Sequence, residues 1–268
     1  ILGLTGAGLL NPGADAVFQG SLDTVTLTQN GQNNATGLMI GGLNASTTST
    51  FSSVVTGDSN ALRTMIGTTG GLAPNVADFT YALQATGDGN LIVDSLTPGG
   101  TGALSYTGVI QGDGNSISVS ADGDGTAVNV AYNIVGAGND LTVAMAGGAG
   151  GRRSSTIDIN GNNNDITHTV AAGVAEATLT ANYTGSQITS NINQNGTGVL
   201  SVTATVTNLL ANPLSHTITQ NGQNQTVVST LDALGGGTFT LTQDAASTGA
   251  LYNDTVQMAV GGTVTINQ

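Results

Sequence analysis

Gly112-Asp-Gly-Asn-Ser-Ile-Ser-Val-Ser120 decides how this chain folds. A tight Gly-x-x-Asn turn runs directly into a stretch in which every second residue is apolar. That is the period of a β-strand with one buried face. The turn recurs as Gly31-Gln-Asn-Asn34, Gly57-Asp-Ser-Asn60, Gly87-Asp-Gly-Asn90, Gly136-Ala-Gly-Asn139 and Gly161-Asn-Asn-Asn164. Degenerate copies follow at Gly185-Ser-Gln187, Gly222-Gln-Asn-Gln225 and Gly249-Ala-Leu-Tyr-Asn253. The successive glycines stand 26, 30, 25, 24, 25, 24, 37 and 27 residues apart, so one interval alone is out of line.

A second mark alternates with the first. Glycine clusters fall at Gly41-Gly42, Gly70-Gly71, Gly99-Gly100, Gly123 to Gly125, Gly147 to Gly151, Gly173, Gly196 to Gly198, Gly235 to Gly237 and Gly261-Gly262. The same long gap separates Gly198 from Gly235, so both series point to an insertion in one coil. The segment 208–214 is the natural place for it, since Pro213 cannot donate to a strand ladder. Alternating runs such as Thr126-Ala-Val-Asn-Val130, Thr238-Phe-Thr-Leu-Thr242 and Thr263-Val-Thr-Ile266 fill the spaces between marks. One repeat therefore reads strand, Gly-x-x-Asn turn, strand, glycine-rich turn. The expected fold is all-β, a β-solenoid of about nine coils with two strands per ~25-residue coil and parallel sheets stacked at about 4.8 Å. Residues 1–20 are expected to be a non-repeat N-terminal segment, a subunit contact or a cap, and residues 21–268 the solenoid.

Composition removes the alternatives. Glycine and β-branched residues are poor helix formers, and no stretch keeps a helical apolar period for three turns. The abundant Val, Ile and Thr argue against disorder. Only 7% of residues are charged, with sixteen carboxylates against Arg63, Arg152 and Arg153, for a net charge of −13. Such a chain has no basic surface for nucleic acid or for an anionic membrane. No apolar run approaches the ~18 residues of a membrane-spanning helix. The start at Ile1, not Met, and the absence of cysteine lead to the expectation of a secreted, extracellular protein whose signal has been removed.

Gln29-Asn-Gly-Gln-Asn-Asn34 has the form Gln-x-Gly-x-x-Asn, and Gln220-Asn-Gly-Gln-Asn-Gln225 differs from it only in the last residue. The pattern resembles the core of the curlin repeat, found in the major subunit of curli, the bacterial functional amyloid. Ala85 and Ile110 stand where the first Gln would be in two of the middle coils. The resemblance implies secretion, a secretion or nucleation apparatus as partner, assembly at the cell surface as a homopolymer, and a role in biofilm matrix or adhesion. The structural turn ladder would comprise Gly31, Asn34, Gly57, Asn60, Gly87, Asn90, Gly112, Asn115, Gly136, Asn139, Gly161, Asn164 and Gly222.

A solenoid has two open ends whose unpaired backbone groups need covering or pairing. Thr263, Val264, Thr265, Ile266, Asn267 and Gln268 form a strand that stops where the next turn should begin. Ile1 to Leu10, with Leu2 and Leu4, is apolar and outside the repeat. These two segments are the expected polymerisation ends, the N-terminal one acting as a donated strand, an interface filler or a local cap.

Other chemistry is thin. Asp58, Asp88 and Asp113 occupy equivalent turn positions, with Asp122 and Asp124 forming a second cluster. Calcium could bridge such stacked carboxylates, but the spacing fits no calcium loop, and solvated surface acids are the favoured reading. His168 and His216 lack metal-ligand spacing and are expected at the surface. No nucleophile motif or paired acid stands out, so no enzyme activity and no cofactor are expected. Arg152 and Arg153 are expected to neutralise Asp or Glu on a neighbouring coil or filament. Thr-x-Thr runs resemble those of ice-binding solenoids, which leaves a monomeric adhesin or ice-binding protein as the alternative. The pairs drift relative to the turn mark, however, so no single array is specified.

Overall fold

The computed structural model of the protein is an all-β, parallel β-solenoid with no helix among the described residues. It describes residues 2–5, 16–18, 24–40, 49–67, 78–97, 103–122, 127–146, 151–208, 213–233, 236–244, 250–258 and 262–268. In chain order the strands are β1 (Leu2–Thr5), β2 (Ala16–Phe18), β3 (Thr24–Asn30), β4 (Ala35–Ile40), β5 (Ser49–Thr56), β6 (Ala61–Gly67), β7 (Phe79–Thr86), β8 (Leu91–Thr97), β9 (Leu104–Gln111) and β10 (Ser116–Asp122). They continue as β11 (Val128–Val135), β12 (Asp140–Ala146), β13 (Arg152–Asn160), β14 (Asp165–Gly185), β15 (Thr189–Asn208), β16 (Leu214–Ala233), β17 (Gly237–Gln243), β18 (Leu251–Met258) and β19 (Thr263–Asn267).

Strands of alternate rank pair in parallel, which builds two sheets. Face A runs β1, β3, β5, β7, β9, β11, β13, then the C-terminal arms of β14, β15 and β16, then β18. Face B runs β2, β4, β6, β8, β10, β12, then the N-terminal arms of β14, β15 and β16, then β17 and β19. Each coil crosses from face A to face B at the first corner and returns at the second. Nine coils lie between β3 and β17: β3/β4, β5/β6, β7/β8, β9/β10, β11/β12, β13/β14, β14/β15, β15/β16 and β16/β17. The pairs β1/β2 and β18/β19 add a rung on either side. The N-terminal segment thus sits on its own chain, with Leu2 beside Val25 and Leu4 beside Leu27. Ile1 lies outside the described residues.

The first corner explains the turn motif. Its opening glycine takes a left-handed conformation, φ 110° at Gly57 and 133° at Gly112. A Cβ on Gly57 would collide with the carbonyl of Gly31 in the coil below, so neither the dihedral nor the space admits a side chain. The third turn residue is also left-handed: Asn33, Ser59, Gly89, Gly114, Gly138, Asn163 and Gln187 all have φ between 53° and 66°. Asparagine and glycine tolerate that region best, which is why they recur there. Corner backbones also bond coil to coil, as in Gly87 N–H to Gln111 O at 2.9 Å and Gly112 N–H to Val135 O at 3.0 Å.

The two punctuation marks do not keep to their corners. Gly222 belongs to the second corner, because Asn221 pairs with Asn195 and a Cβ on Gly222 would meet the Gly196 carbonyl. Gly236 and Gly237 lie on the first corner, where Gly237 stacks on Leu214. Asn253 is a strand residue beside Val228 and not a turn residue, and Gly249 lies outside the described residues. The 37-residue intervals are therefore one and a half coils. No lengthened coil separates β15 from β16: Asn191 pairs with Thr217, 26 residues on, within the range of 22 (Ala16 to Leu38) to 30 (Ser49 to Phe79) found elsewhere. The expected insertion at 208–214 is corrected accordingly, though residues 209–212 themselves lie outside the described residues. The error has a physical source: Asn224 is left-handed (φ 51°) and Gln225 Nε2 bonds the Gly222 carbonyl, so the same turn chemistry serves either corner.

Inward residues of both faces interdigitate in one continuous core, from Val25 and Leu27 through Ile110, Ile134 and Leu179 to Leu241. The described aromatics with buried side chains are part of it: Phe51 stacks on Phe79 at 4.9 Å, Tyr81 on Tyr106 at 5.1 Å, and Tyr106 on Tyr132 at 5.3 Å. Gly108, level with Tyr132, is where that ring lies; a Cβ there would strike it.

Candidate functional site: ladders, a buried acid and a shallow groove

Four kinds of polar array are built by the stacking. The first is the asparagine column of the first corner, Asn34, Asn60, Asn90, Asn115, Asn139 and Asn164. From Asn60 onward each side-chain oxygen accepts from the coil before it: Asn60 N–H to Asn90 Oδ1 at 2.9 Å, Asn90 N–H and Nδ2 to Asn115 Oδ1 at 2.9 and 3.1 Å, Asn115 N–H and Nδ2 to Asn139 Oδ1 at 2.9 and 3.0 Å. All but Asn34 are buried. The motif's final Asn is thus a buried acceptor for a backbone N–H that the turn would otherwise strand.

The second array is on the outside of that corner. Asp58 Oδ1 accepts the Asp88 N–H at 2.9 Å, Asp88 Oδ1 the Asp113 N–H at 2.7 Å, and Asp113 Oδ1 the Ala137 N–H at 2.6 Å. The stacked aspartates cap the outward peptide of the next coil, a charge-assisted bond that offsets their mutual repulsion. No group of three metal-ligating side chains gathers among the described residues. Asp122 lies in β10 near the charge of Arg153, and Asp124 lies outside the described residues.

A glutamine column takes over at the far end. Gln220 Nε2 donates to Gln194 Oε1 at 2.9 Å, Gln243 Nε2 to Gln220 Oε1 at 3.0 Å, and Gln268 Nε2 to Gln243 Oε1 at 3.1 Å. It reaches the β18/β19 rung, where Val264 and Ile266 are 45% and 41% exposed. Of the expected polymerisation residues, Thr263 to Asn267 lie together along β19, paired to β17 on one side.

The interior holds ionisable groups that were not singled out in the sequence. Asp94 is buried in face B, its Oδ2 accepting from Tyr106 Oη at 2.8 Å and its Oδ1 from Tyr81 Oη at 3.4 Å. Tyr81 Oη also lies 3.0 Å from both Ser53 and Thr64. Burial raises the Asp94 pKa to about 6 despite these donors. Burial, and then the Asp94 charge, holds Tyr81, Tyr106 and Tyr132 well above the ordinary tyrosine range.

His168 and His216, expected at the surface, are also fully buried, and burial lowers both to about 4. His168 Nε2 is 2.8 Å from Ser155 Oγ; His216 is held between Tyr183 and Phe239, with centroids at 6.3 and 5.7 Å. The signal was present: Ile92, Asp94, Leu96 and Ile166, His168, Val170 are alternating sets, so the strand period already turned these residues inward.

Of the arginine pair, Arg152 Nε meets Glu176 Oε2 at 3.0 Å across adjacent coils, as expected. Arg153 turns inward instead, its Nε donating to the Ala146 carbonyl at 2.8 Å. On the outside of face A, a shallow open groove of about 350 Å3 is lined by Ser52, Ser53, Val54, Ala82, Leu83, Gln84, Thr107 and Val109, with no ionisable side chain. The threonine pairs, expected to drift, line up: Thr217 and Thr219 stand beside Thr240 and Thr242 on the outside of face B. Comparison with protein-family models, curated proteins and solved structures returns no match.

Proposed function

We propose that the chain is the structural subunit of an extracellular, amyloid-like fibre of the curli kind, lengthening head to tail by β-strand addition in a biofilm matrix or surface adhesion layer. The observation that supports this reading is the translational repetition of the joints. Each coil meets the next through parallel strand pairing plus an asparagine or glutamine side-chain bond, and amide ladders of this kind are the stabilising element of cross-β stacks. A copy stacked on the β18/β19 rung would be held by the same strand pairing and amide bond that join the coils within one chain. The β18/β19 rung offers such an edge, with Gln268 at the head of the glutamine column and Val264 and Ile266 exposed beside it. Unpaired parallel edges are templates for another strand. The partner in this reading is a second copy, delivered by a secretion or nucleation apparatus.

The test is assembly. Purified chain, titrated in concentration, is expected to give filaments by negative-stain electron microscopy, with a meridional reflection near 4.8 Å. The Val264→Asp/Ile266→Asp variant is expected to slow elongation at least tenfold while keeping the β circular-dichroism spectrum of the monomer. A monodisperse monomer at every concentration sinks the proposal.

A further inference from the structure

We infer that the outer side of face B, over β6 to β14, is an interface for a second copy of this chain, the two sheets lying face to face with their stacks reversed. The inference starts from the placement of charge. On that outer side Arg63 stands exposed in β6, and Asp140 and Asp165 stand exposed as direct register partners in β12 and β14. Register counts the rungs between them. Arg63 heads a column continued by Val93 and Ser118, and two residues earlier in each strand Leu91 and Ser116 lead to Asp140 and Asp165. The positive pole thus stands three and four rungs, about 14 and 19 Å, from the two acids of the negative one. Asp122, at the far end of β10, lies near the charge of Arg153.

Neither pole is satisfied within the chain. Arg63 is the one exposed cation without an ion pair among the described residues, since Arg152 is paired with Glu176 and Arg153 is buried. Asp140 and Asp165 have no ion pair among the described residues either. Like charges directly opposite across a strand pair are destabilising. Partial burial, and then the Asp140 charge, raise the Asp165 pKa.

A two-fold rotation about an axis along the strands, between β8 and β10, lays β6 of each copy over β12 of the other. Arg63 then faces the aspartate column of the other copy two residues, about 6.7 Å, to one side. With the sheets about 10 Å apart, that offset is within reach of an arginine opposed to an aspartate. Every contact of such a pair is made twice. Leu91, 48% exposed, and Val93 meet Ser116 and Ser118 of the other copy at the centre. An apolar, uncharged middle with charge at its rim is the ordinary anatomy of an interface.

Other occupants fit less well. A basic protein would find carboxylates on every side of a chain of net charge −13, and here Arg63 would oppose it. An anionic surface would be repelled by Asp140 and Asp165. A second copy supplies both signs at the required spacing by symmetry. Five rungs of seven-residue strands cover about 500 Å2. That is below the ~800 Å2 per partner of a stable pair, so the dimer is a weak, exchanging one.

The test is sedimentation velocity, from micromolar to near-millimolar concentration, on the full chain carrying Val264→Asp/Ile266→Asp to block the end joint. Dimers are expected. Arg63→Asp should weaken them by about tenfold or more, and so should Asp140→Arg/Asp165→Arg. An equal mixture of these two variants should regain the parent's affinity, because each chain then meets the opposite sign at both poles. Both chains remain acidic overall, so general attraction cannot produce that result. Circular dichroism of every variant should match the parent. Should a charge reversal impair folding, Leu91→Ser at the centre should weaken the dimer by about threefold or more. Monomers at every concentration overturn the inference. So does a dimer indifferent to Arg63→Asp, and so do two monomeric variants that fail to pair on mixing. Wild-type filaments are scored separately by microscopy, so the face contact and the end joint can fail independently.

Discussion

Between β3 and β12 the coils are joined at the first corner by buried asparagines, whereas from β15 to β19 the buried amide column is made of glutamines near the second corner. The interiors differ to match. The N-terminal coils enclose Asp94 with two tyrosine hydroxyls bonded to it. The C-terminal coils enclose His168 and His216, and both ring nitrogens of His216 lack a protein partner among the described residues. Two lessons follow. An asparagine in a turn can serve the backbone of the coil before it directly, while the longer glutamine links one coil to another through side chains alone. A solenoid core, long and thin, can also hold opposite titration behaviours a few coils apart.

Acidification is the harshest way to separate the halves. His168 and His216 titrate at about 4 in the folded chain against 6.5 ordinarily. The unfolded chain therefore takes up their protons first. Their contribution is complete above pH 6.5 and is lost as pH falls through 4, at about 3 kcal/mol each. Asp94 runs the other way, with a folded value of about 6 against 3.8. Its contribution is complete below about pH 4 and is lost as pH rises through 6, again about 3 kcal/mol. From pH 7 to pH 4, amide exchange corrected for intrinsic rate should accelerate in β14 to β17 and slow in β7 to β10. Parallel changes in both regions would remove the contrast.

Substitution probes the two columns at smaller cost. Asn115→Ala strands the buried Asn90 N–H as well as breaking the side-chain bonds to Asn90 and Asn139, for an expected loss of about 3 kcal/mol in urea unfolding. Gln220→Ala breaks side-chain bonds without stranding a backbone donor, and about 2 kcal/mol is expected. Equal losses would mean that the columns are equivalent after all. Smallest is Arg152→Ala, since its pair with Glu176 is 76% and 40% exposed; no more than about 0.5 kcal/mol is expected by the same measurement.

The solenoid, its two strands per coil and its near-25-residue period were legible because glycine at Gly57 or Gly112 answers to a collision that recurs in every coil. The assignment of marks to corners was not legible past Ile188. Asn224 and Gln225 reproduce at the second corner the left-handed turn and side-chain bond of the first, so local chemistry carries no label for the corner. Asp94, His168 and His216 were legible in principle from alternation, but residue type was allowed to outweigh period. The alignment of the face B threonine pairs was hidden for a related reason: it follows strand register, and the turn mark changes corners midway. Arg153, buried where an exposed arginine was expected, is permitted by carbonyls that the sequence does not place, those of Ala146 and Arg152.

The aspartate caps at the first corner have one more consequence. Each carboxylate serves the coil after it and asks nothing of coils further away. A coil is therefore an exchangeable part. Excising residues 116–139 would join Asn115 to Asp140, the residue that stacks directly over Ser116, and the caps made by Asp58 and Asp88 would remain in place, only that of Asp113 on Ala137 having to find the equivalent peptide of the following coil. Gene duplication and loss can therefore change the length of such a protein in whole-coil steps, as beads are added to a string, without redesigning either neighbour.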